Sequence, residues 1–119
     1  MSKILIADDA AFMRMMVKDA LTKNGFTDVV EAADGEIACN LYNSENPDLV
    51  ILDITMPNKT GIEALRDIKA ADPSAKIIMC SAMGQEAMVV EAIKLGALDF
   101  IVKPFKPERI IQAVTKVLG

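Results

Sequence analysis

Five side chains that follow apolar runs could act on one substrate together. Asp8 and Asp9 follow Lys3-Ile4-Leu5-Ile6-Ala7, and Asp53 follows Leu49-Val50-Ile51-Leu52. Ser81 follows Lys76-Ile77-Ile78-Met79-Cys80, and Lys103 follows Phe100-Ile101-Val102. Taken singly, each has a plain explanation: a strand-ending Asp, a strand-end hydroxyl, a lysine in a salt bridge. Brought together they would form an unusual site. Three clustered carboxylates repel one another, so either their pKa values rise or a cation neutralises them. Oxygen donors without His or Cys favour a hard ion, and Mg²⁺ suits a few carboxylates plus a backbone carbonyl, whereas Ca²⁺ wants more ligands. Lys103 adds a positive charge and Ser81 a hydroxyl, and the backbone N–H groups of Thr55 and Ala82 can face an anion. Such a set suits a phosphoryl group, with Asp53 as nucleophile forming an acyl phosphate.

Composition narrows the classes. The chain has 119 residues, 52% hydrophobic and 25% charged, which suits one compact domain over 1–119. A net charge of −4 and a pI near 4.8 argue against nucleic acid as a partner. No apolar stretch approaches the about 18 residues of a membrane span, so no membrane role is expected. Met1-Ser2-Lys3 leads directly into an apolar run, so no signal peptide and a cytoplasmic location are expected. Cys39 and Cys80 stand apart, without a CxxC, and read as reduced core thiols. The absence of histidine removes His-based triads, histidine general bases and most zinc sites.

The elements that must position the five residues follow from the pattern of apolar residues. Strands are expected over Lys3–Ala7, Asp28–Ala32, the run ending at Asp53, Lys76–Cys80 and Leu98–Val102. A helix from Ala10 to Asn24, capped by Asp8 or Asp9, would bury Met13, Met16, Val17, Ala20 and Leu21 and end at Gly25. Met13, Met15 and Met16 read as core filler rather than a soft-metal site. A second helix opens at Asp34-Gly35 and runs to about Asn43, with Ile37, Ala38 and Leu41 inward. A third follows the polar loop Pro57–Gly61 with Ile62, Leu65 and Ile68 inward, and Asp72-Pro73 breaks it. From Gly84 to Leu95, Met88, Val89, Val90, Ala92 and Ile93 spread apolar surface around much of a helix. Either it is deeply buried or part of that surface receives a partner. Pro107 suits the first turn of a last helix with Ile110, Ile111, Val114, Val117 and Leu118 inward. Five strands alternating with five helices imply an α/β fold, a doubly wound parallel sheet with helices on both faces. Right-handed crossovers then place every strand's C-terminal end, and all five candidate residues, along one edge.

In this order and spacing the motifs are specific. Asp8-Asp9, Leu52-Asp53-Ile54-Thr55-Met56-Pro57, Ser81-Ala82 and Phe100 with Lys103-Pro104-Phe105 resemble the receiver domains of two-component response regulators over essentially the whole chain. Asp8-Asp9-Ala10-Ala11-Phe12-Met13-Arg14 and Cys80-Ser81-Ala82-Met83-Gly84-Gln85 resemble the single-domain chemotaxis type. The resemblance implies a flavodoxin-like five-stranded sheet in the order 2-1-3-4-5. It implies phosphoryl transfer to Asp53 from a phosphohistidine on a sensor histidine kinase. Mg²⁺ would be held by Asp9, Asp53 and the Thr55 carbonyl, with Asp8 reaching it through water. Lys103 would bind a phosphoryl oxygen, and the Lys103–Pro104 bond would be cis. Ser81 would move onto the phosphoryl group while Phe100 swings inward. Output would leave through Phe100, Val89, Ile93 and Pro104, towards the flagellar motor switch protein. The further expectations are a monomer and an aspartyl-phosphate phosphatase as partner, with no enzymatic activity beyond its own phosphorylation and dephosphorylation.

Two departures matter. Thr60-Gly61 stands where many receivers have Asp-Gly, with the turn glycine kept. Thr55 and Met83 occupy positions that in the family modulate self-dephosphorylation, so the resemblance implies that they influence the lifetime of the acyl phosphate. The alternative within the family is a phosphorelay intermediate outside chemotaxis. Outside it, a haloacid-dehalogenase-like phosphohydrolase would want a second Asp where Thr55 stands. A flavodoxin-like electron carrier would need a phosphate cradle where Asp8-Asp9 would repel one. A pure interaction module would have no use for the acid set.

Overall fold

The structure, a computed structural model, describes residues 2–119; Met1 lies outside them. Five strands alternate with five helices: β1 (Lys3–Ala7), α1 (Ala11–Lys23), β2 (Asp28–Ala32), α2 (Gly35–Glu45), β3 (Leu49–Asp53), α3 (Gly61–Ala71), β4 (Ile77–Ser81), α4 (Glu86–Lys94), β5 (Asp99–Val102) and α5 (Pro107–Leu118). All strand pairs are parallel, in the order β2-β1-β3-β4-β5. The doubly wound sheet expected from the alternation is present.

The two inner strands, β3 and β4, are buried at every position, as aliphatic runs covered on both faces must be. Successive side chains alternate between two cores. Leu5, Val50, Leu52, Ile77 and Met79 pack with Ala38, Tyr42, Ala64, Leu65, Ile68 and Ala92 from α2, α3 and α4. Ile4, Ile6, Ile51, Ile78 and Ile101 pack with Val17, Leu21, Ile110, Ala113 and Val114 from α1 and α5. Each fully buried Leu or Ile contributes about 1.5–3 kcal/mol, so the central strands are the firmest support a site could have.

Local departures have local causes. Asp8 and Asp9 do not cap α1; Ala10 is its N-cap and offers no side-chain bond. The Asp8 carboxylate instead accepts from the N–H of the N-cap Ala10 itself at 2.9 Å, two residues short of the Phe12 N–H that a cap would engage. Met13 and Met16 are half-buried, whereas Met15 is 60% exposed and belongs to no core. On α2, Ile37 is exposed and Tyr42 takes the buried place, because its ring packs inward while its hydroxyl donates to Asp72 at 2.7 Å. β4 begins one residue later than expected and runs through Ser81. α4 starts only at Glu86, since Gly84 holds φ at +91° and cannot continue a right-handed helix.

Candidate functional site

The site begins with the ends of β1, β3, β4 and β5. Ala7 pairs with Leu52, Asp53 with Cys80, and Ser81 with Val102. Three backbone bonds continue the ladders past the strands: Asp8 N–H to Ala32 O at 3.1 Å, Ile54 N–H to Cys80 O at 3.0 Å, and Lys103 N–H to Ser81 O at 2.7 Å. Asp8, Asp53, Ser81 and Lys103 are thereby held side by side on one edge by main chain rather than by flexible side chains.

Lys103 Nζ reaches Asp8 Oδ2 at 3.0 Å and Asp53 Oδ2 at 3.2 Å. One carboxylate oxygen from each of Asp8, Asp9 and Asp53 lies within 4.8 Å of the others. Asp53 is only 7% exposed, Asp8 is buried and Asp9 faces solvent. Burial raises the Asp53 pKa, the Asp8 charge adds to the rise, and Lys103 opposes it. Burial disfavours the Lys103 ammonium, but its hydrogen bond to Asp8 and the charges of Asp53 and Asp8 prevail, so its pKa is raised. One ammonium therefore balances part of a surplus of negative charge. The donor set is all oxygen, the set that suits a hard divalent cation.

Asp8 is itself fixed. Its second oxygen holds the Ala10 N–H, and its carbonyl accepts from Arg14 Nη1 at 2.6 Å. Arg14 also pairs with Glu31 at 3.2 Å. Beneath the acids, Cys80 is buried, and burial pushes its thiol up to about 12, so it is inert packing.

The loop between β3 and α3 is pinned from three sides. Asp34 caps α2 by accepting from the Ile37 N–H at 2.8 Å and also accepts from Asn58 Nδ2 at 2.7 Å. The Gly35 N–H donates to Lys59 O, and the Gly61 N–H donates to Ile54 O at 2.8 Å. A Cβ on Gly61 would lie 2.0 Å from the Asp53 carbonyl oxygen, so no other residue lets α3 start this close to the acid. Thr60 and Glu63 close a capping box on that start.

Across the site, the loop between β4 and α4 is held differently. Ala82 N–H, one of the two expected anion contacts, donates to Gln85 Oε1 at 2.6 Å. Gln85 Nε2 donates to Thr55 Oγ1 at 2.8 Å. The sequence marks Asp34 as the opening of α2, and the structure makes it the cap there. It gives Gln85, Arg14 and Asn58 no part in the site, because their contacts to Thr55, Glu31 and Asp34 are distant in the chain.

Beyond this loop, α4 buries only Ala92, leaving Met88, Val90 and Ile93 exposed. With Ser81, Met83, Val89, Phe100 and Val102, Ile93 lines a largely apolar groove of about 660 Å³. Phe100 points outward at 38% exposure, and Arg109 holds its carbonyl at 2.8 Å. Pro104, exposed and preceded by a cis bond, does not line this groove but the neighbouring hollow against α5, which shares Phe100 and Val102 with it.

Residues 4–115 match the response regulator receiver domain family. The chain belongs to that family. This receiver domain is 59% identical to chemotaxis protein CheY of Bacillus subtilis (strain 168), over 98% of each chain. It is 57% identical to chemotaxis protein CheY of Thermotoga maritima, over 97% of this chain and 96% of that one. Among solved structures it resembles CheY in the CheX-CheY-BeF3-Mg complex from Borrelia burgdorferi, with a TM-score of 0.93, 39% identity, and coverage of 99% of this chain and 90% of that one. The receiver is thus a phosphorylation-activated response regulator of the chemotaxis kind.

Proposed function

We infer that this receiver takes a phosphoryl group on Asp53 from the phosphohistidine of a sensor histidine kinase and signals by binding another protein. The observation that carries the reading is Lys103 Nζ bridging Asp8 and Asp53 at 3.0 and 3.2 Å inside a cluster of three carboxylates. Asp8, Asp9, Asp53 and the Thr55 carbonyl would hold Mg²⁺, which when bound supplies positive charge for the phosphoryl oxygens. The Asp53 carboxylate attacks phosphorus, and the donor's bond to phosphorus breaks with its electron pair leaving on the donor. Lys103 turns from its two carboxylates to a phosphoryl oxygen, the Thr55 and Ala82 N–H groups receive others, and the Ser81 hydroxyl donates to the group. The chain catalyses its own phosphorylation and dephosphorylation and no other reaction.

The output surface is the groove between α4 and β5. Phe100 is exposed there, and closing it inward while Ser81 moves would change the shape offered by Val89, Ile93 and Pro104. A segment of the flagellar motor switch protein is the partner this face receives. An aspartyl-phosphate phosphatase is a further partner; the Borrelia relative is seen in complex with CheX. The protein acts as a cytoplasmic monomer, one receiver over 1–119.

Intact-mass measurement after incubation with acetyl phosphate tests the chemistry. A single phosphoryl adduct is expected with Mg²⁺, and none with chelator or in Asp53→Asn. Labelling that survives either change would move the nucleophile elsewhere.

A further inference from the structure

The Ala82 N–H faces the site at the end of β4, where a phosphoryl group on Asp53 would require it. In the structure it is already engaged by the Gln85 carboxamide, at 2.6 Å, which is short for such a bond. The other end of the same carboxamide holds the Thr55 hydroxyl at 2.8 Å, so one neutral side chain ties the loop after β3 to the loop after β4. Gln85 sits at the N-cap of α4 but makes no side-chain cap bond, so its amide is committed across the site rather than to its own helix. The loop it closes contains Gly84 at φ +91°, with open space around it.

We propose that Gln85 is a positioning residue that latches the resting receiver, occupying the Ala82 N–H until a phosphoryl group displaces it. The inference rests on the reading of Asp53 as phosphoryl acceptor. Transfer from acetyl phosphate forms an Asp53 oxygen–phosphorus bond and breaks the acetyl oxygen–phosphorus bond, with acetate leaving on the electron pair. The new phosphoryl oxygens then need donors, and the latched state withholds one. Only the unlatched fraction offers a complete site, so the latch lowers the observed labelling rate to that fraction of its unlatched value.

Two measurements on the full chain decide the matter. The first uses no phosphodonor or metal: hydrogen exchange at the Ala82 amide. It should be protected in the wild type and in Gln85→Glu, whose carboxylate still accepts, and unprotected in Gln85→Ala and Gln85→Met. The second is the rate of Asp53 labelling by acetyl phosphate with Mg²⁺. Gln85→Ala and the length-preserving Gln85→Met should label about two- to tenfold faster than wild type, the factor one neutral hydrogen bond is worth. Gln85→Glu should label more slowly than wild type, because it keeps the latch and adds negative charge beside three acids. A residue that merely supports the loop would slow all three variants. Equal or slower labelling of Gln85→Ala and Gln85→Met, with normal Asp53 labelling of the wild type, overturns the latch and leaves the receiver chemistry standing. No labelling of any form, wild type included, overturns that chemistry and the latch with it.

Discussion

The loops after β3 and β4 flank the same carboxylate and are built on opposite plans. The β3–α3 loop is tied by Asp34 to Asn58, by the Gly35 N–H to Lys59 and by the Gly61 N–H to Ile54. It runs into a helix with a complete capping box and four buried residues. The β4–α4 loop is crossed by the single Gln85 carboxamide and runs into a nine-residue helix with no side-chain cap and one buried residue. A site that must hold a carboxylate steady and also change shape needs both plans. Regions with few buried apolar contacts open at low free-energy cost, and here that region adjoins the apolar groove between α4 and β5.

The comparison breaks most sharply at Gly61. Gly61→Ala should cost at least about 2 kcal/mol, read as a lower urea midpoint, because its Cβ meets the Asp53 backbone and not a side chain that can move. Thr60→Ala removes half of the capping box and should cost about 1 kcal/mol, with faster exchange confined to the first turn of α3. Acid should loosen the same loop. Hydrogen bonds from the Ile37 N–H and Asn58 hold the Asp34 pKa below its ordinary 3.8. Its contribution is therefore complete above 3.8 and lost as pH falls through the lower folded value. Exchange at Ile37 should rise on acidification below that range, and Asp34→Asn should flatten the dependence. On the other side, Val90→Ala should change stability by less than about 0.5 kcal/mol, since the side chain is exposed. Val90 also lines the groove between α4 and β5, so the change should still weaken binding of a motor-switch peptide in a titration of the phosphorylated protein.

The same contrast explains what the sequence made legible. The strands came from aliphatic runs, which parallel sheets buried on both faces require, and their order placed Asp8, Asp53, Ser81 and Lys103 together without any contact being known. Acids, lysine and hydroxyl announce themselves by type. Gln85 does not, because a glutamine before a helix is ordinary until Thr55, thirty residues away, is seen beside it. Helical periodicity places Ile37 and Tyr42 at opposite edges of the α2 face centred on Ala38 and Leu41, and only packing decides that the aromatic ring goes in. The apolar surface of α4 left two readings open, and the exposure of Met88, Val90 and Ile93 selects the uncovered one.

Cys80 pairs with Asp53 in the sheet and is sealed from solvent under the acids. A thiol so placed is a clock. It stays silent towards alkylating reagents while the central strands hold, and it reacts only at the pace at which they part. Cys39, half-buried on α2, reports on its helix instead. The molecule thus carries two native timers, one for the platform under the carboxylate and one for its periphery, and neither requires a label to be introduced.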